Sequence, residues 1–507
     1  MIVATSNSQT MPKLSELLAG IADADISAVR DLIVSGLKID SRRVTAGDLF
    51  IALPGSRQNG NAYINEAISR GAAAVVYGAE TELPPRQNSS VPLIKIANIS
   101  KQAGVIASRF YAEPSKSLTV TGITGTNGKT TCCVLLAQAH NHLGGRSGII
   151  GTIGAGLWGQ LTAATHTTPD AVTLQRQIAI LRDLGSDQLV MEVSSHGLQQ
   201  GRVSGTDFNI AVFTNLSQDH LDYHGSMQSY GAAKAILFQQ NELDLAVINL
   251  DDEFGNKLLS EAPGSAESVK ARRVVSYGID SGDVHARHIS LHSEGIRLEV
   301  TSPWGGLLID SKLLGRFNVY NLLACAAVLL ASGHAADDVA RALSDAESAA
   351  GRMECFRSGH ATVVIDFAHT PDALEQALIA LREHIPGRRL ICVFGCGGNR
   401  DQAKRPIMGR IAEQLADSVI ITDDNPRHED AAAIRSAILA GMQKPSTQIA
   451  DRRKAIIAAW KSAQPGDIIL VAGKGHESSQ QVGDLKIPFS DREVVASLLL
   501  SSPGELE

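Results

Sequence analysis

No pair of cysteines in this chain has the spacing of a disulfide framework or a metal knuckle. The six stand at positions 132, 133, 325, 355, 392 and 396, a scatter that predicts free thiols in a reducing compartment. No apolar run approaches the length of a bilayer span and no leader-like segment opens the chain, so a cytoplasmic location without membrane insertion is expected. An excess of positive charge is also missing: 46 basic against 53 acidic residues leave −7, which argues against a nucleic-acid binder. Short repeats and low-complexity tracts are absent. What remains is a globular composition, 44% hydrophobic and 20% charged over 507 residues, too long for one core and suggesting about three domains.

The strongest local signal is Gly122-Ile123-Thr124-Gly125-Thr126-Asn127-Gly128-Lys129-Thr130-Thr131. It follows an apolar β-type run at Leu118–Val120 and precedes a helical stretch with Cys133, Leu136 and Ala137 at helical spacing. A strand, a glycine-rich turn and a helix N-terminus make a phosphate cradle, in which backbone N–H groups converge and Lys129 adds a point charge. Thr130 offers its hydroxyl to a nucleotide-bound Mg²⁺. Gly122 and Gly128 are separated by five residues where the strict pattern has four, so this is a P-loop variant. An ordinary glycine-rich turn is the competing reading, and the flanking strand and helix disfavour it. The chain is expected to bind a nucleoside triphosphate.

Repeated strand–helix alternation predicts an α/β protein of three domains, at 1–112, 113–348 and 349–507. The first is a small α/β unit with strands at Leu49–Leu53, Ala73–Tyr77 and Pro92–Ile96. The second carries the P-loop, with strands near 118–123, 188–193, 209–213 and 245–249 and an antiparallel tract over Asp280–Leu313. The third reads as a Rossmann-like, doubly wound domain with strands at Thr362–Phe367, Leu390–Phe394, Ser418–Thr422 and Asp467–Val471.

In open parallel sheets ligands bind beyond the carboxyl ends of the strands, and the unusual polar residues fall there. Glu192 ends the strand after the P-loop, where a carboxylate commonly partners Mg²⁺; Ser194, Gln200 and Arg202 follow. Asp219, His220, Asp222 and His224 follow the next strand. Such a cluster can hold a metal, with His220 the favoured ligand, although polar loops and helix caps read the same way. In the third domain Gly395-Cys-Gly-Gly-Asn-Arg400, Asp423–Arg427 and Gly473-Lys-Gly-His-Glu477 follow successive strands. The first lacks dinucleotide-binding spacing. Arg400, Arg427 and Glu477 together suggest an amino-acid pocket, since arginines pair with carboxylates and a glutamate suits an ammonium; three unrelated surface charges are the alternative.

By these motifs the chain resembles the Mur ligase family, most closely its MurE-type branch, over nearly its whole length. The carrying residues include Asp40-Ser41-Arg42, Gly47-Asp48-Leu-Phe50, Thr167-Thr168-Pro-Asp170, Glu192-Val-Ser194-Ser-His196, Asn215–Gly225, Ala233-Lys234, Gly315-Arg-Phe-Asn318-Val-Tyr-Asn321, Gly351-Arg352, Asp366-Phe-Ala-His369 and Asp424-Asn425-Pro426-Arg427. The resemblance implies a uridine-nucleotide-binding first domain, with Ser41, Ser56, Arg57 and Gln58 at the UDP-sugar. It implies that Thr167, Thr168, Ser194, Gln200 and Arg202 meet the muramyl peptide. The ATP site would hold Gly125, Thr126, Asn127, Gly128, Lys129, Thr130, Thr131, Asn318, Asn321, Arg352, Asp366 and His369.

Lys234 would be carbamylated and share Mg²⁺ with Thr130, Glu192 and His220, so that Lys129, Glu192, His220 and Lys234 form the catalytic set. The implied activity is ATP-dependent amide synthesis through an acyl phosphate, in peptidoglycan precursor assembly. UDP-N-acetylmuramoyl-L-alanyl-D-glutamate would be the acceptor and meso-diaminopimelate the amine. Members that add diaminopimelate carry the Asp-Asn-Pro-Arg tetrapeptide, and Arg427 can clamp the extra carboxylate. Arg400, Asp424, Asn425, Pro426, Gly473 and Glu477 would complete that pocket. Asn399 stands where many members have Asp, and Ala431 where Pro is frequent. A monomer is expected. The competing readings are the same chemistry with L-lysine, a folylpolyglutamate-type ligase, and a P-loop ATPase switch.

Overall fold

A computed structural model describes residues 11–21, 29–55, 59–78, 90–164, 166–240, 243–260 and 268–500. The chain divides into two compact units, one of Met1–Cys133 with His140–Val275, the other of Val134–Ala139 with Ser276–Glu507. The expected α/β alternation is present in both. Among the described residues no helix is long and apolar enough to cross a membrane.

The first unit opens with a parallel sheet of β1 (Gly36–Lys38), β2 (Asp48–Ala52), β3 (Ala74–Gly78) and β4 (Leu93–Ile96), in that order. β2 shows why the apolar run forms a strand buried on both faces. Leu49 and Ile51 enter the core with Leu14 and Ile99, while Phe50 and Ala52 point the opposite way, against Val44 and Ile64. Successive side chains of a strand alternate faces, so a continuous apolar run serves two cores at once.

Its second group of strands is β5 (Thr119–Thr124), β6 (Ser147–Gly151), β7 (Gly154–Leu157), β8 (Gln188–Glu192), β9 (Ile210–Phe213) and β10 (Leu245–Asn249). They lie in the order β10-β9-β5-β8-β6-β7. β5 is parallel to both neighbours, with Ile123 opposite Glu192 on one side and Val212 on the other. This order sets the loops after β8 and β9 on either side of the glycine-rich turn that leaves β5.

β11 (Arg273–Gly278) spans the boundary at Val275, and in the second unit its Tyr277 and Gly278 pair with β12 (Val284–His292), which continues into the antiparallel run β12, β13 (Gly295–Thr301) and β14 (Leu307–Ser311). β13 alternates strictly, Ile296, Leu298 and Val300 buried and Arg297, Glu299 and Thr301 exposed, the signature of a sheet with one wet face. A doubly wound sheet follows, in the order β15 (Glu354–Arg357), β16 (Ala361–Asp366), β20 (Asp467–Ala472), β17 (Leu390–Phe394), β18 (Ser418–Ile421), β19 (Thr447–Gln448). Leu390, Cys392 and Phe394 of β17 pack with the helices Pro371–His384 and Lys404–Leu415. Ile391 and Val393 pack with Arg452–Ser462 and Asp491–Leu500 on the other face. A hairpin of β21 (Ser479–Val482) and β22 (Leu485–Pro488) closes the set.

Candidate active site

The glycine-rich turn leads from β5 into the helix Lys129–His142. Gly125 has φ +152°, and a Cβ there would meet Thr214 Oγ1 at 1.9 Å, so only glycine fits. The loop after β9 clasps this turn: Thr126 N–H donates to Asn215 O at 2.8 Å, Asn127 N–H to Asn215 Oδ1 at 2.9 Å, and Thr214 Oγ1 to Asn127 O at 2.6 Å. The first-turn N–H groups of a helix have no intrahelical acceptor and carry the positive end of its dipole. Here that turn begins Lys129-Thr130-Thr131, with Lys129 Nζ folded back onto Gly125 O and Thr126 O at 2.8 Å each.

Glu192 ends β8 and is buried, 1% exposed. Its Oε2 accepts from Thr130 Oγ1 at 2.8 Å and its Oε1 from the Thr152 N–H at 2.7 Å. Thr152 Oγ1 also lies 3.3 Å from Glu192 Oε2 and 3.0 Å from Thr167 Oγ1. Thr168 Oγ1 donates to Glu192 O and accepts from the Ser194 N–H. Arg202 donates to Thr168 O at 2.8 Å and forks onto Gln200 Oε1; burial lowers its pKa. Thr167, Thr168, Ser194, Gln200 and Arg202 are thus brought together in one hydrogen-bonded group that ends on Glu192. Ser41 lies on the first sheet's side, donating to Glu66 Oε2 at 2.7 Å. Ser56, Arg57 and Gln58 fall outside the described residues.

The histidine cluster separates by depth. His224 is buried, with Nε2 2.9 Å from Ser195 Oγ, whereas His220 is exposed, in the left-handed region at φ +53°. Tyr230 neighbours both His220 and Lys234, its ring centroid 6.1 Å from the imidazole and 4.2 Å from Nζ. Lys234 is 1% exposed and donates to Gly125 O at 2.8 Å. Burial first, and then the Lys129 charge, hold its ammonium well below the usual lysine range. Among the described residues no three His, Cys, Asp or Glu side chains are gathered as a metal site. Thr130 Oγ1 and Glu192 Oε2 do supply adjacent oxygen donors, the kind that hard divalent cations take. A free Lys234 amine adds no oxygen to them; a carbamate would.

In the second unit, Asn318 and Asn321 are buried in the first two turns of the helix Phe317–Ala331, joined by an Asn321 Nδ2 to Asn318 Oδ1 bond of 2.8 Å. Arg352, Asp366 and His369 also meet. The Arg352 guanidinium lies over the Phe367 ring at 4.9 Å, and the His369 ring stands 4.6 Å from the same ring. Asp366 accepts from the Met353 and Ala368 N–H groups at 2.8 Å each, while burial pushes its carboxyl above the usual range.

The loops after β20, β17 and β18 are neighbours because those strands are adjacent. Arg427, at φ +52°, donates to Gly398 O at 2.7 Å. A Cβ on Gly397 would meet the Arg427 guanidinium at 2.9 Å and the Arg400 Cγ at 3.9 Å, so both arginines flank one glycine. Asn425 donates to Glu477 Oε2 at 2.8 Å, which ties the arginine-bearing loop to the glutamate-bearing one. Asp424, Asn425, Pro426 and Gly473, on the same loops, are buried. Burial raises the Glu477 carboxyl, but hydrogen bonds from Lys474 and Asn425 outweigh it and leave the pKa lowered.

Two participants escape a sequence reading. Thr152 sits after β6 with no motif around it, and only the strand order brings it to Glu192. Lys474 lies inside the Gly473–Glu477 motif, and its spacing of three from Glu477 is the one available signal.

Family models describe three stretches of the chain: the Mur ligase family catalytic domain at 33–111, the Mur ligase middle domain at 123–329 and the Mur ligase glutamate ligase domain at 351–475. A UDP-N-acetylmuramoyl-L-alanyl-D-glutamate–2,6-diaminopimelate ligase of Pseudomonas aeruginosa is 48% identical over 473 residues, covering 92% of this chain and 95% of the relative. A ligase of the same name from Chromobacterium violaceum is 46% identical over 487 residues, 95% and 98% of the two chains. A solved structure bearing that name superimposes with a TM-score of 0.73 at 34% identity, covering 96% of this chain and 99% of the other.

Proposed function

The chain belongs to the Mur ligase family, and from that membership we propose that it joins meso-diaminopimelate to the D-glutamate γ-carboxylate of UDP-N-acetylmuramoyl-L-alanyl-D-glutamate, converting ATP to ADP and phosphate. The observation that carries this choice of amine is the pairing of Arg400 and Arg427 around Gly397 with Glu477 on the adjoining loop. Diaminopimelate carries two amino-acid ends, and a guanidinium can hold the distal carboxylate bidentately while a glutamate takes an ammonium. Lysine lacks the distal carboxylate and would leave Arg427 without its anion.

In the reaction, Lys129 and the N–H groups of the first helical turn orient the triphosphate. Arg352, Asp366, His369, Asn318 and Asn321 hold the remainder of ATP. The γ-phosphoryl passes to the D-glutamate γ-carboxylate, giving an acyl phosphate and ADP. The neutral amine of diaminopimelate then attacks the acyl carbon, phosphate leaves, and the amine proton is lost. Catalysis by these residues is positioning and charge compensation. Thr167, Thr168, Ser194, Gln200 and Arg202 hold the peptide of the acceptor, with Ser41, Ser56, Arg57 and Gln58 at its uridine end.

Magnesium, when bound, neutralises charge on the transferring phosphoryl group. Thr130 and Glu192 would hold it, with His220 and a carbamylated Lys234. The depressed basicity of Lys234 favours carbamylation, because only the neutral amine adds carbon dioxide.

The test is phosphate release by the purified protein with ATP, magnesium and the UDP-linked dipeptide, with diaminopimelate or L-lysine added in parallel and the product identified by mass. Turnover with diaminopimelate and a tripeptide product is expected. Turnover with lysine alone would overturn the assignment of the amine, and phosphate release independent of both substrates would overturn the ligase reading.

A further inference from the structure

We propose that Lys474 is a positioning residue for the incoming amino acid: its buried ammonium occupies one oxygen of Glu477, leaving the other to receive the substrate's ammonium. This rests on the amino-acid pocket described above and extends it to a residue with no assigned part.

Lys474 follows Gly473 on the loop after β20 and is fully buried, 0% exposed. Its Nζ donates to Glu477 Oε2 at 2.8 Å and to Asn425 Oδ1 at 3.1 Å. Asn425 Nδ2 donates to the same Oε2 at 2.8 Å. Both internal donors therefore converge on one oxygen of the carboxylate. The orientation of the Asn425 amide is fixed as well, because its Oδ1 also accepts the Gln481 N–H at 2.9 Å.

A buried ammonium is costly unless paired and hydrogen-bonded. Lys474 in this place therefore requires Glu477 to be ionised, which is the form that binds an ammonium. A purely structural ion pair has no need of an open side, yet the Glu477 side chain is 34% exposed beside a lysine that is wholly enclosed. The carboxylate is held from within and presented outward.

The brace also fixes the two charged subsites relative to each other. Asn425 stands two residues before Arg427. The Arg427 N–H donates to Gln481 O at 3.1 Å, and its own carbonyl accepts the Gly483 N–H at 2.6 Å. Lys474, Asn425 and β21 thus fix Glu477 relative to Arg427, so that the carboxylate and the ammonium of one amino-acid centre are held together.

The test is steady-state kinetics of Lys474→Met with each substrate varied in turn. The KM for diaminopimelate should rise on the order of tenfold or more, with the KM values for ATP and the UDP-linked dipeptide unchanged. In the double variant with Glu477→Gln the two effects should be less than multiplicative, since each removes the same contact. A normal KM for diaminopimelate in Lys474→Met, or an equal rise for all three substrates with a lowered melting temperature, would overturn the proposal. Should Lys474→Met not fold, Lys474→Gln, which keeps an N–H donor, carries the same comparison; failure of both to fold while Glu477→Gln folds would assign Lys474 to stability alone. A wild-type protein that does not ligate diaminopimelate would instead overturn the functional reading itself.

Discussion

Thr152 donates its backbone N–H to Glu192 Oε1 at 2.7 Å, from a turn that is forty residues earlier in the chain. The same residue's hydroxyl reaches Thr167, so one threonine spans the space between the proposed cation-binding carboxylate and the proposed peptide-binding loop. This position links Glu192 to Thr167, which lie in separate motifs.

Thr152→Val should separate the two functions of that residue. The backbone bond to Glu192 survives, while the hydroxyl links to Glu192 and Thr167 are lost. We expect kcat/KM for the UDP-linked substrate to fall roughly tenfold with little change in melting temperature, as for the loss of a modest hydrogen bond. Steady-state kinetics and thermal unfolding check both halves.

Lys234→Met should lower turnover by about a hundredfold or more, since electrostatic contributions in closed sites are of that size. Melting temperature should hold or rise, because an apolar chain replaces a buried amine. Labelled bicarbonate should give a carbamate carbonyl signal by carbon NMR in the wild type and none in the variant. A wild type without that signal would remove Lys234 from the cation-binding set.

Arg427→Lys keeps the charge and loses the planar fork. The kcat/KM for diaminopimelate should fall about a hundredfold, the size expected when a bidentate carboxylate partner is removed. Lysine should not become a good substrate in exchange. Competition between the two amines, read by product mass, measures the ratio directly.

Arg452 and Asp491 form an ion pair with both side chains 0% exposed, and Arg452 also donates to Ala472 O at the end of β20. Asp491→Asn should cost about 3–5 kcal/mol, the usual result of leaving one buried charge unpaired. Chemical denaturation reads it. The loop of Lys474 and Glu477 starts one residue beyond Ala472, so the KM for diaminopimelate should rise as well.

Burial pushes the thiols of Cys392 and Cys396 up to about 12 and that of Cys355 to about 11, from 9.0. Their folded values lie above the unfolded one, so the unfolded chain loses these protons first as pH rises. The stability they contribute is complete below pH 9.0 and is lost as pH climbs toward 12. Denaturation midpoints should fall through that window, less steeply in Cys392→Ala. Near neutral pH a thiol reagent should label the native protein slowly and the unfolded one at once.

Two departures from the resembled pattern fit their local backbone. Asn399 takes a left-handed conformation at φ +52° that Asn tolerates well, and its Oδ1 accepts the His428 N–H at 3.1 Å. Ala431 is the first residue of the helix Ala431–Leu439, capped by Asp430. Proline is favoured at that position because its missing N–H has no helical acceptor to lose, and alanine, a strong helix former, is also compatible with it.

Local chemistry was enough to read β2 to β5, β8 to β10, β16 to β18 and β20, the glycine-rich turn, Glu192 at a strand end and the loops bearing Arg400, Arg427 and Glu477, because each depends on residues near one another in sequence, whereas β6 and β7 were missed. Periodicity shows which strands are buried on both faces, and turn residues show where they stop. Strand order does not follow from such signals. Only the tertiary structure put β17 between β20 and β18, brought Thr152 to Glu192, buried His224 while exposing His220, and enclosed Lys234 and Lys474. For both lysines the sequence offers a charged side chain that water would hold at little cost. Burial makes each depend on its partners, and burial is a property of the packed sheet and helices around them, not of the residues beside them in the chain.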